Sequence, residues 1–365
     1  PVLNKKLSDP DDLSNGSWVQ EEDFHPERHV LHYALPRPGR MEDLLNLVSR
    51  AHERQLDRSR PLWELHIIEG LPRKRFAVYC KVHHALIDGV AGMKMLNTLF
   101  SEKPGNRTRF PKTETVARPR VERSSLLQDL EDMGRGLLDQ YRAIPELSAL
   151  LAHMGLDALR GEDDAMKLPF TSPRSIFNTD TDAARRIILC DLSFSSVRAM
   201  ARQSGGSIND VLLAICGGAL RRYLLAQDAL PRKSLVAGLP VSIRREDKQD
   251  ANQLSFILSP FFTDERDDLK RLRRVIKTTR KAKAELAAMS TAAGQDFSNL
   301  LLIPTVLLTL TGNATKVSPA INAIFSNVPG SSKKLYLQGA ELESLYPLSV
   351  VTDGMCINLT VVSYC

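Results

Sequence analysis

The sequence predicts an α/β protein built as two layered domains. Its 365 residues exceed the roughly 100–200 residues of one average domain. Apolar residues make up 43% of the chain and charged residues 25%, which is the composition of a globular protein with a sizeable core. Segments with strand and helix patterns interleave in both halves, and this order is typical of strands and helices packed in layers.

The first half begins with alternating elements. A helix is predicted at Met41–Gln55, where apolar side chains recur at helical spacing. Leu62–Glu69 and Arg75–His83 have the pattern of strands, and Met93–Phe100 has that of a short amphipathic helix. Ser101–Pro119 is rich in proline, arginine, lysine and threonine, so we expect a linker or a mobile loop there.

A helical stripe follows this segment. Its apolar residues are spaced by three or four: Leu126, Leu130, Met133, Leu137, Tyr141 and Ile144. The stripe predicts a bridging helix packed on a domain, and insertion into a lipid surface is the alternative. We therefore expect an N-terminal domain at residues 1–119, a helical linker at 120–166 and a C-terminal domain at 167–365.

The second half has the same mixture. Ser207 is a good N-cap for a helix from Ile208 to about Leu225, since its hydroxyl can accept an unpaired backbone N–H. A long helix is predicted at Asp268–Ala288. Five segments have strand patterns: Arg186–Leu192, Leu235–Val241, Ser255–Phe262, Ala320–Val328 and Met355–Val362.

Charge and cysteine content exclude several classes of protein. The net charge of +6 fits an anionic ligand or a membrane surface and falls well short of a nucleic-acid binder. The five cysteines are scattered without a CxxC spacing, which argues against a disulfide framework or a zinc site and favours a reducing cytosol.

The apolar runs and the chain ends lead to two further expectations. The longest apolar runs, Val211–Leu220 and Leu300–Leu310, are shorter than the about 20 residues that span a bilayer. Without a secretory signal, contact with lipid is expected from the surface. Because the chain lacks an initiator methionine and stops within a strand-like run, we expect a fragment.

The segment His83-His84-Ala85-Leu86-Ile87-Asp88-Gly89 carries the chemistry. It lies between a predicted strand and a predicted helix, where a side chain can face a cleft. The positive end of a helix dipole disfavours an imidazolium, and a neutral histidine near pH 7 can act as a general base. Asp88 can fix the loop or pair with an arginine, and Gly89 permits a turn. Two adjacent histidines with one aspartate lack the second cluster that a metal site needs, so no metal is expected.

The pattern HHxxxDG resembles the active-site motif of the acyltransferases that include chloramphenicol acetyltransferase, peptide-synthetase condensation domains and bacterial wax ester synthase/diacylglycerol acyltransferases. Four further blocks match the last of these branches. They are Arg60–Leu71 with Pro61-Leu62-Trp63, Ser207–Ala214 with Asn209-Asp210, Gly238–Arg244, and Phe325–Gly330 with Ser326-Asn327. Their order and spacing agree from about Phe24 to Cys365. From this resemblance we expect the family's N-terminal strand and helix to be missing before Pro1 and its C-terminal strand to be missing after Cys365, and Asp353 stands where a histidine is expected.

The resemblance implies two chloramphenicol-acetyltransferase-like domains, each a mixed sheet with flanking helices, with the active site in the tunnel between them. It also implies transfer of a long fatty acyl group from acyl-coenzyme A to a fatty alcohol or diacylglycerol. His84 would be the general base, next to His83, and Asn209 would donate a hydrogen bond to the alcohol or the oxyanion. Because no GxSxG motif occurs, direct transfer without an acyl-enzyme or cofactor is expected.

The residues expected to bind substrate also have simpler structural explanations, such as a strand start, a helix cap, a turn or ordinary core. They are Gly89, Pro61, Leu62, Trp63, Asp210, Ser326, Asn327, Val306 and Leu307. For Val306 and Leu307 the alternatives are ordinary core and the wall of a lipid channel, and Pro304 is expected to bend or end a helix there. Arg266–Glu285, with nine basic residues, is a solvated helix surface or else a coenzyme A or membrane patch.

Two rival functions stay open from the sequence. One is a condensation-type domain that accepts a carrier-bound acyl group, and the other is a non-catalytic coat protein of lipid inclusions. The preferred interpretation is a cytoplasmic enzyme that associates peripherally with the inner membrane or with lipid inclusions and binds no nucleic acid.

Overall fold

The computed structural model describes residues 2–9, 17–87, 89–105, 145, 147–161, 164, 166–242 and 254–365. Strands and helices alternate through these residues, and the predicted α/β class is confirmed. The predicted bridging helix at 126–144 lies outside the described residues, as does most of the predicted loop at 101–119.

The first half is built on a three-stranded mixed sheet. Its strands are β3 (Val30–Ala34), β4 (Trp63–Leu71) and β5 (Arg75–Val82). β4 lies in the centre, parallel to β3 and antiparallel to β5. A two-stranded ribbon precedes this sheet and consists of β1 (Lys5–Leu7) and β2 (Trp18–Gln20). Short 3₁₀ turns occur at Val2–Asn4, Pro26–Arg28 and Pro72–Lys74.

Two helices accompany the first sheet. α1 (Met41–Glu53) buries one apolar face, and the core that it completes consists of Leu35, Leu44, Val48, Ala51, Ile68 and Tyr79. α2 (Gly89–Leu99) follows β5 after a short turn. Two residues from the second half, Ile187 and Leu348, also pack against this core.

The second half is built on a four-stranded mixed sheet with the order β11-β8-β6-β7. The strands are β6 (Val236–Ser242), β7 (Leu254–Pro260), β8 (Ala323–Pro329) and β11 (Asn358–Ser363). β6 runs antiparallel to β7 and parallel to β8, and β8 runs parallel to β11. The short pair β9 (Tyr336–Leu337) and β10 (Ala340–Glu341) reaches back to the first half through a bridge between Tyr336 and Ser101.

The helices of the second half enclose a larger core. They are α3 at residues 147–159, α4 (Phe194–Ser204), α5 (Ile208–Ala226), α6 (Asp268–Ala288) and α7 (Thr291–Leu310). α5 and α6 are antiparallel, since a Cβ at Gly217 in the middle of α5 would meet Arg271 near the start of α6, while Thr279 further along α6 contacts Asp210 at the start of α5. None of the helices in the described ranges is both long and apolar enough to cross a membrane.

An ion-pair network fixes α3 on α6. His153 Nδ1 lies 3.2 Å from Glu285 Oε1, and Lys281 Nζ lies 2.7 Å from Asp157 Oδ2. His153, Asp157 and Glu285 place three potential metal ligands close together. Because Lys281 already pairs with the buried Asp157, we interpret these side chains as a contact between α3 and α6.

The structure differs from the predicted elements at several places. The strand predicted at Arg186–Leu192 is wrong: its side chains alternate in exposure, but no strand is assigned there, because the segment lacks a ladder with a described strand. Several elements were not predicted from the sequence, among them α4 and the strands β1, β2 and β3. α7 starts before its apolar run and continues through Pro304 to Leu310, so the proline does not end the helix.

Candidate active site

The two histidines of the motif form the first part of the site, at the end of β5. The His83 N–H donates to Leu62 O over 2.9 Å and thereby prolongs the pairing of β4 and β5 by one residue. The Leu86 N–H donates back to His83 O, also over 2.9 Å, and closes a turn. We call this turn, His83–Leu86, the histidine turn. His84 is its second residue and is exposed.

The two imidazole rings have different surroundings. His83 Nδ1 accepts a hydrogen bond of 3.2 Å from the Ala85 N–H, so its ring is tied to its own turn. Partial burial lowers the pKa of His83, and the nearby charges of Arg58 and His84 lower it further. The His84 ring has no hydrogen bond to any residue of the described ranges. Both residues are exposed, and His84 is the one whose ring forms no hydrogen bond within the described ranges.

Pro61, Leu62 and Trp63 support the strand end that carries the histidines. Pro61 and Leu62 are buried. The Trp63 indole N–H donates to Leu3 O over 2.7 Å, and its ring stacks on His29 with 4.6 Å between centroids. These contacts explain the segment structurally, and its contact with substrate stays a prediction.

The other two members of the motif are less informative. Asp88 lies outside the described residues. Gly89 is the first residue of α2, three positions after Leu86, which closes the histidine turn.

The N-terminus of α5 forms the second part of the site. Ser207 and Asp210 form a capping box, in which the Ser207 N–H donates to Asp210 Oδ2 over 2.7 Å. The Thr279 hydroxyl donates to Asp210 Oδ1, also over 2.7 Å. Both oxygens of this buried carboxylate accept hydrogen bonds within the protein, so Asp210 holds the start of α5 against α6. No feature of the sequence indicated the part played by Thr279.

Asn209 and Asn327 are paired at the same helix terminus. Asn327 Nδ2 donates to Asn209 Oδ1 over 2.6 Å, which leaves the Asn209 NH₂ group to donate elsewhere. Asn209 is exposed, whereas Asn327 Oδ1 is buried without a hydrogen-bond partner among the described residues. A buried acceptor without a partner costs free energy, and such groups concentrate at functional sites. We refer to these two residues as the asparagine pair.

The sheet places Asn327 beside α5. Among the described residues, β8 pairs with β6 only at Ala323 and Ile324, and beyond that point its described partner is β11. Ser326 and Asn327 therefore lie where β6 and β8 have diverged. The buried Asn322 anchors the strand just before this point, since its Oδ1 accepts the Val236 N–H over 2.8 Å.

The glycine that ends this block has a steric reason. A Cβ at Gly330 would lie 2.1 Å from Ser363 O, so the close approach of β8 and β11 requires glycine there. Asp353, which stands where a histidine was expected, accepts the Thr181 N–H over 2.7 Å and holds two loops together.

The structure does not join the two parts of the site directly. Within the described ranges, neither His83 nor His84 has a hydrogen bond or ion pair to Asn209 or Asn327. The inter-domain tunnel and the roles of these residues stay predictions.

Val306 and Leu307 lie on the surface of α7, with 53% and 55% of each residue exposed. Ordinary core is thereby excluded for both, because core positions on this helix such as Phe297 and Leu301 are almost fully buried. The exposure of Val306 and Leu307 also argues against an enclosed channel wall at these positions. A contact of these two side chains with lipid stays a prediction.

The chain matches two family models. One is described as the wax ester synthase/diacylglycerol acyltransferase catalytic domain and matches residues 1–212. The other is described as the WS/DGAT C-terminal domain and matches residues 251–365.

Individual relatives agree with the family models. O-acyltransferase WSD of Acinetobacter baylyi is 34% identical over 369 residues, which cover 100% of this chain and 78% of the relative. A Mycobacterium tuberculosis protein named "Probable diacyglycerol O-acyltransferase tgs2" is 36% identical over 358 residues, which cover 96% of this chain and 77% of the relative.

A solved structure is similar as well. The wax ester synthase/diacylglycerol acyltransferase from Marinobacter aquaeolei VT8 superposes with a TM-score of 0.74 at 32% identity and covers 99% of this chain and 77% of that one. Sequence and fold agree over almost the whole length. The chain therefore belongs to the wax ester synthase/diacylglycerol acyltransferase family and is an O-acyltransferase.

Proposed function

We propose that this chain transfers a long fatty acyl group from acyl-coenzyme A to a long-chain alcohol or to diacylglycerol, with His84 as the general base. The observation that carries this proposal is the histidine turn. One ring is held by the turn itself, and the next is exposed and has no hydrogen bond to a described residue. A general base needs a ring that can approach a substrate hydroxyl to hydrogen-bond distance.

The reaction follows from these positions. His84 accepts the hydroxyl proton while the alcohol oxygen attacks the thioester carbonyl carbon. The tetrahedral intermediate carries negative charge on the former carbonyl oxygen, and the free NH₂ group of Asn209 donates to it. The carbon–sulfur bond then breaks, the ester remains, and the imidazolium returns its proton to the leaving thiolate. The step is a direct transfer, and it requires neither a covalent acyl-enzyme nor a metal.

Turnover with defined substrates tests this proposal. Purified protein is given palmitoyl-coenzyme A with hexadecanol or with diacylglycerol, and both free thiol and ester are measured over time. Equal amounts of thiol and ester are expected with at least one acceptor. Transfer only from a carrier-bound acyl group would favour the condensation-type alternative. Absence of turnover with either donor would favour a non-catalytic lipid-inclusion protein.

We also propose that the protein works in the cytoplasm at the surface of a membrane or lipid inclusion. Support comes from α7, where several apolar residues are at least about two-fifths exposed: Leu300, Leu302, Ile303, Val306, Leu307 and Leu310. Leu307→Ser is expected to weaken binding to triolein emulsions several-fold with little change in melting temperature. Leu269→Ser is the matched control, since Leu269 is exposed on α6 instead. Equal binding by both variants would exclude α7 as the lipid contact.

A further inference from the structure

A groove of about 460 Å³ lies between the end of α4 and the outer side of α6. Ser204 contributes from α4, and four cationic side chains contribute from α6: Arg273, Lys277, Arg280 and Lys281. Among the described residues, none that lines the groove is acidic. Arginine and lysine in such numbers favour an anion with several oxygens, because each guanidinium or ammonium donates more than one hydrogen bond.

The four cations are not equally neutralised. Lys281 pairs with Asp157, and Lys277 Nζ lies 3.3 Å from Asp164 Oδ2. Arg273 and Arg280 form no ion pair within the described part of the chain. Arg280 Nη2 donates to Gly205 O over 3.0 Å, which holds its guanidinium at the groove. Within the described part of the chain, the charges of Arg273 and Arg280 are therefore not balanced by an ion pair.

This groove lies close to the asparagine pair. Arg280 contacts Gly205, two residues before the N-cap Ser207 of α5, and its neighbour Thr279 contacts Asp210. Asn209 belongs to the same helical turn as Asp210. The cationic groove and the NH₂ group of Asn209 thus flank one helix terminus.

We propose that this groove binds the phosphate groups of the coenzyme A nucleotide while the thioester lies at the asparagine pair. The inference rests on the proposed function, which supplies acyl-coenzyme A as donor. In that molecule a long, flexible pantetheine arm separates the thioester from the diphosphate and the 3′-phosphate. A single helix terminus with an amide donor on one side and arginines on the other suits both ends of such a substrate.

Donors with and without phosphates provide the test. The Michaelis constant is measured for palmitoyl-coenzyme A and for palmitoyl-pantetheine, which lacks the nucleotide, with hexadecanol in detergent. Arg273→Gln and Arg280→Gln are each expected to raise the constant for palmitoyl-coenzyme A about tenfold, the value of one lost charge-assisted hydrogen bond. In the same two variants the Michaelis constant for palmitoyl-pantetheine is expected to stay within about twofold of the wild-type value, because that donor has no nucleotide phosphates to bind in the groove.

Lys283→Gln is the matched control, because Lys283 is an exposed cation of α6 that does not line the groove. It is expected to change neither constant. An equal rise with both donors in the arginine variants would overturn the proposal, since the effect would not depend on phosphate. Loss of binding to vesicles containing phosphatidylglycerol, with unchanged Michaelis constants, would also overturn it and would assign the groove to lipid headgroups.

Calorimetry with adenosine 3′,5′-diphosphate separates this proposal from the proposed function. The wild-type chain is expected to bind this nucleotide, and the double variant Arg273→Gln/Arg280→Gln is expected to bind it at least tenfold more weakly. If wild-type protein binds the nucleotide but transfers no acyl group, the proposed function fails and the groove assignment stands. Equal binding by the wild type and the double variant overturns the groove assignment alone.

Discussion

The two parts of the candidate site are held in different ways. The histidine turn is exposed and is fixed by backbone hydrogen bonds from His83 and Leu86. Asn209 lies on a helix terminus that is fixed by a buried carboxylate, a buried hydroxyl and the amide of Asn327. The first part has an open ring on a short turn, and the second has a donor set in a network of side chains.

This difference corresponds to the two chemical tasks. A base has to reach a hydroxyl on a substrate that enters from outside, so its ring must be accessible. A donor that stabilises an oxyanion is most effective when it is already oriented, because no reorganisation is then needed as charge develops. We therefore expect substitutions at the turn to affect chemistry alone and substitutions around Asn209 to affect chemistry through orientation.

The largest effect is expected at the accessible base. His84→Ala should lower kcat by about 10²–10⁴, the usual contribution of a positioned general base, with an unchanged melting temperature. Steady-state turnover with palmitoyl-coenzyme A and hexadecanol, together with a thermal melt, measures both. His32→Ala is the control, since His32 is an exposed histidine of β3 outside the turn. Retention of more than a few percent of wild-type kcat would remove His84 from the role of base.

The next effect is expected at the asparagine pair. Asn209→Ala should lower kcat by about 10²–10³ with a smaller change in KM, as loss of an oxyanion donor does. Asn327→Ala should lower kcat less, because Asn327 only positions Asn209. The loss of transition-state stabilisation in the double variant should be smaller than the sum of the losses in the two single variants, and a double-mutant cycle measures this difference. Fully additive losses would mean that Asn327 acts independently of Asn209.

How much could be predicted from the sequence differs between the two parts. Ser207 and Asp210 lie close in the sequence and indicate the start of α5. The predicted helix from Ile208 to about Leu225 agrees with the observed Ile208–Ala226. The histidine motif is also contiguous, and the expected order of strand, turn and helix was right. Patterns carried by neighbouring residues can be read without the fold, because their physics is local.

Contacts between distant segments could not be predicted in this way. The hydrogen bond between Asn209 and Asn327 joins residues 118 positions apart, and Thr279 reaches Asp210 across 69 positions. At Arg186–Leu192 the alternating pattern is present, but no ladder joins the segment to a described strand. Exposure of Val306 and Leu307 likewise depends on what packs against α7, which hydrophobic content alone does not specify.

A stability variant tests how rigidly α5, the helix that carries Asn209, is held in the fold. A Cβ at Gly217 would lie 2.0 Å from Phe261 O, so Gly217→Ala should force α5 away from the turn after β7. We expect a loss of about 1–3 kcal/mol in the free energy of unfolding, as for overpacked cores, measured by urea titration. Gly155→Ala is the control, because a Cβ at Gly155 meets nothing within 4 Å. A neutral Gly217→Ala would mean that α5 is not rigidly held.

The smallest effect concerns acid sensitivity, which should be confined to the sheet and core of the first half of the chain. Burial is the main cause that lowers the pKa of both His52 and His66 from the ordinary value of 6.5, and both rings lie beside Tyr79 in the first core. Well above pH 6.5 the rings are neutral in both the folded and the unfolded chain, and the histidines contribute no pH dependence. As the pH falls below 6.5, the unfolded chain binds protons that the folded chain resists, so the free energy of unfolding decreases until the folded pKa is passed.

Glu285 has the opposite sign, because burial raises the pKa of its carboxyl and the folded chain then binds its proton first as the pH falls. Hydrogen exchange at pH 7.5 and pH 5.5, corrected for the intrinsic rates, should therefore show weaker protection at the lower pH in β4 and β5 but not in α5 and α6. His52→Gln should remove part of the loss in β5, since His52 Nδ1 lies 2.8 Å from the Tyr79 hydroxyl on that strand. An equal loss of protection in β4, β5, α5 and α6 would show that the two halves unfold as one unit, and the difference between the two parts of the site would then lie in their local contacts alone.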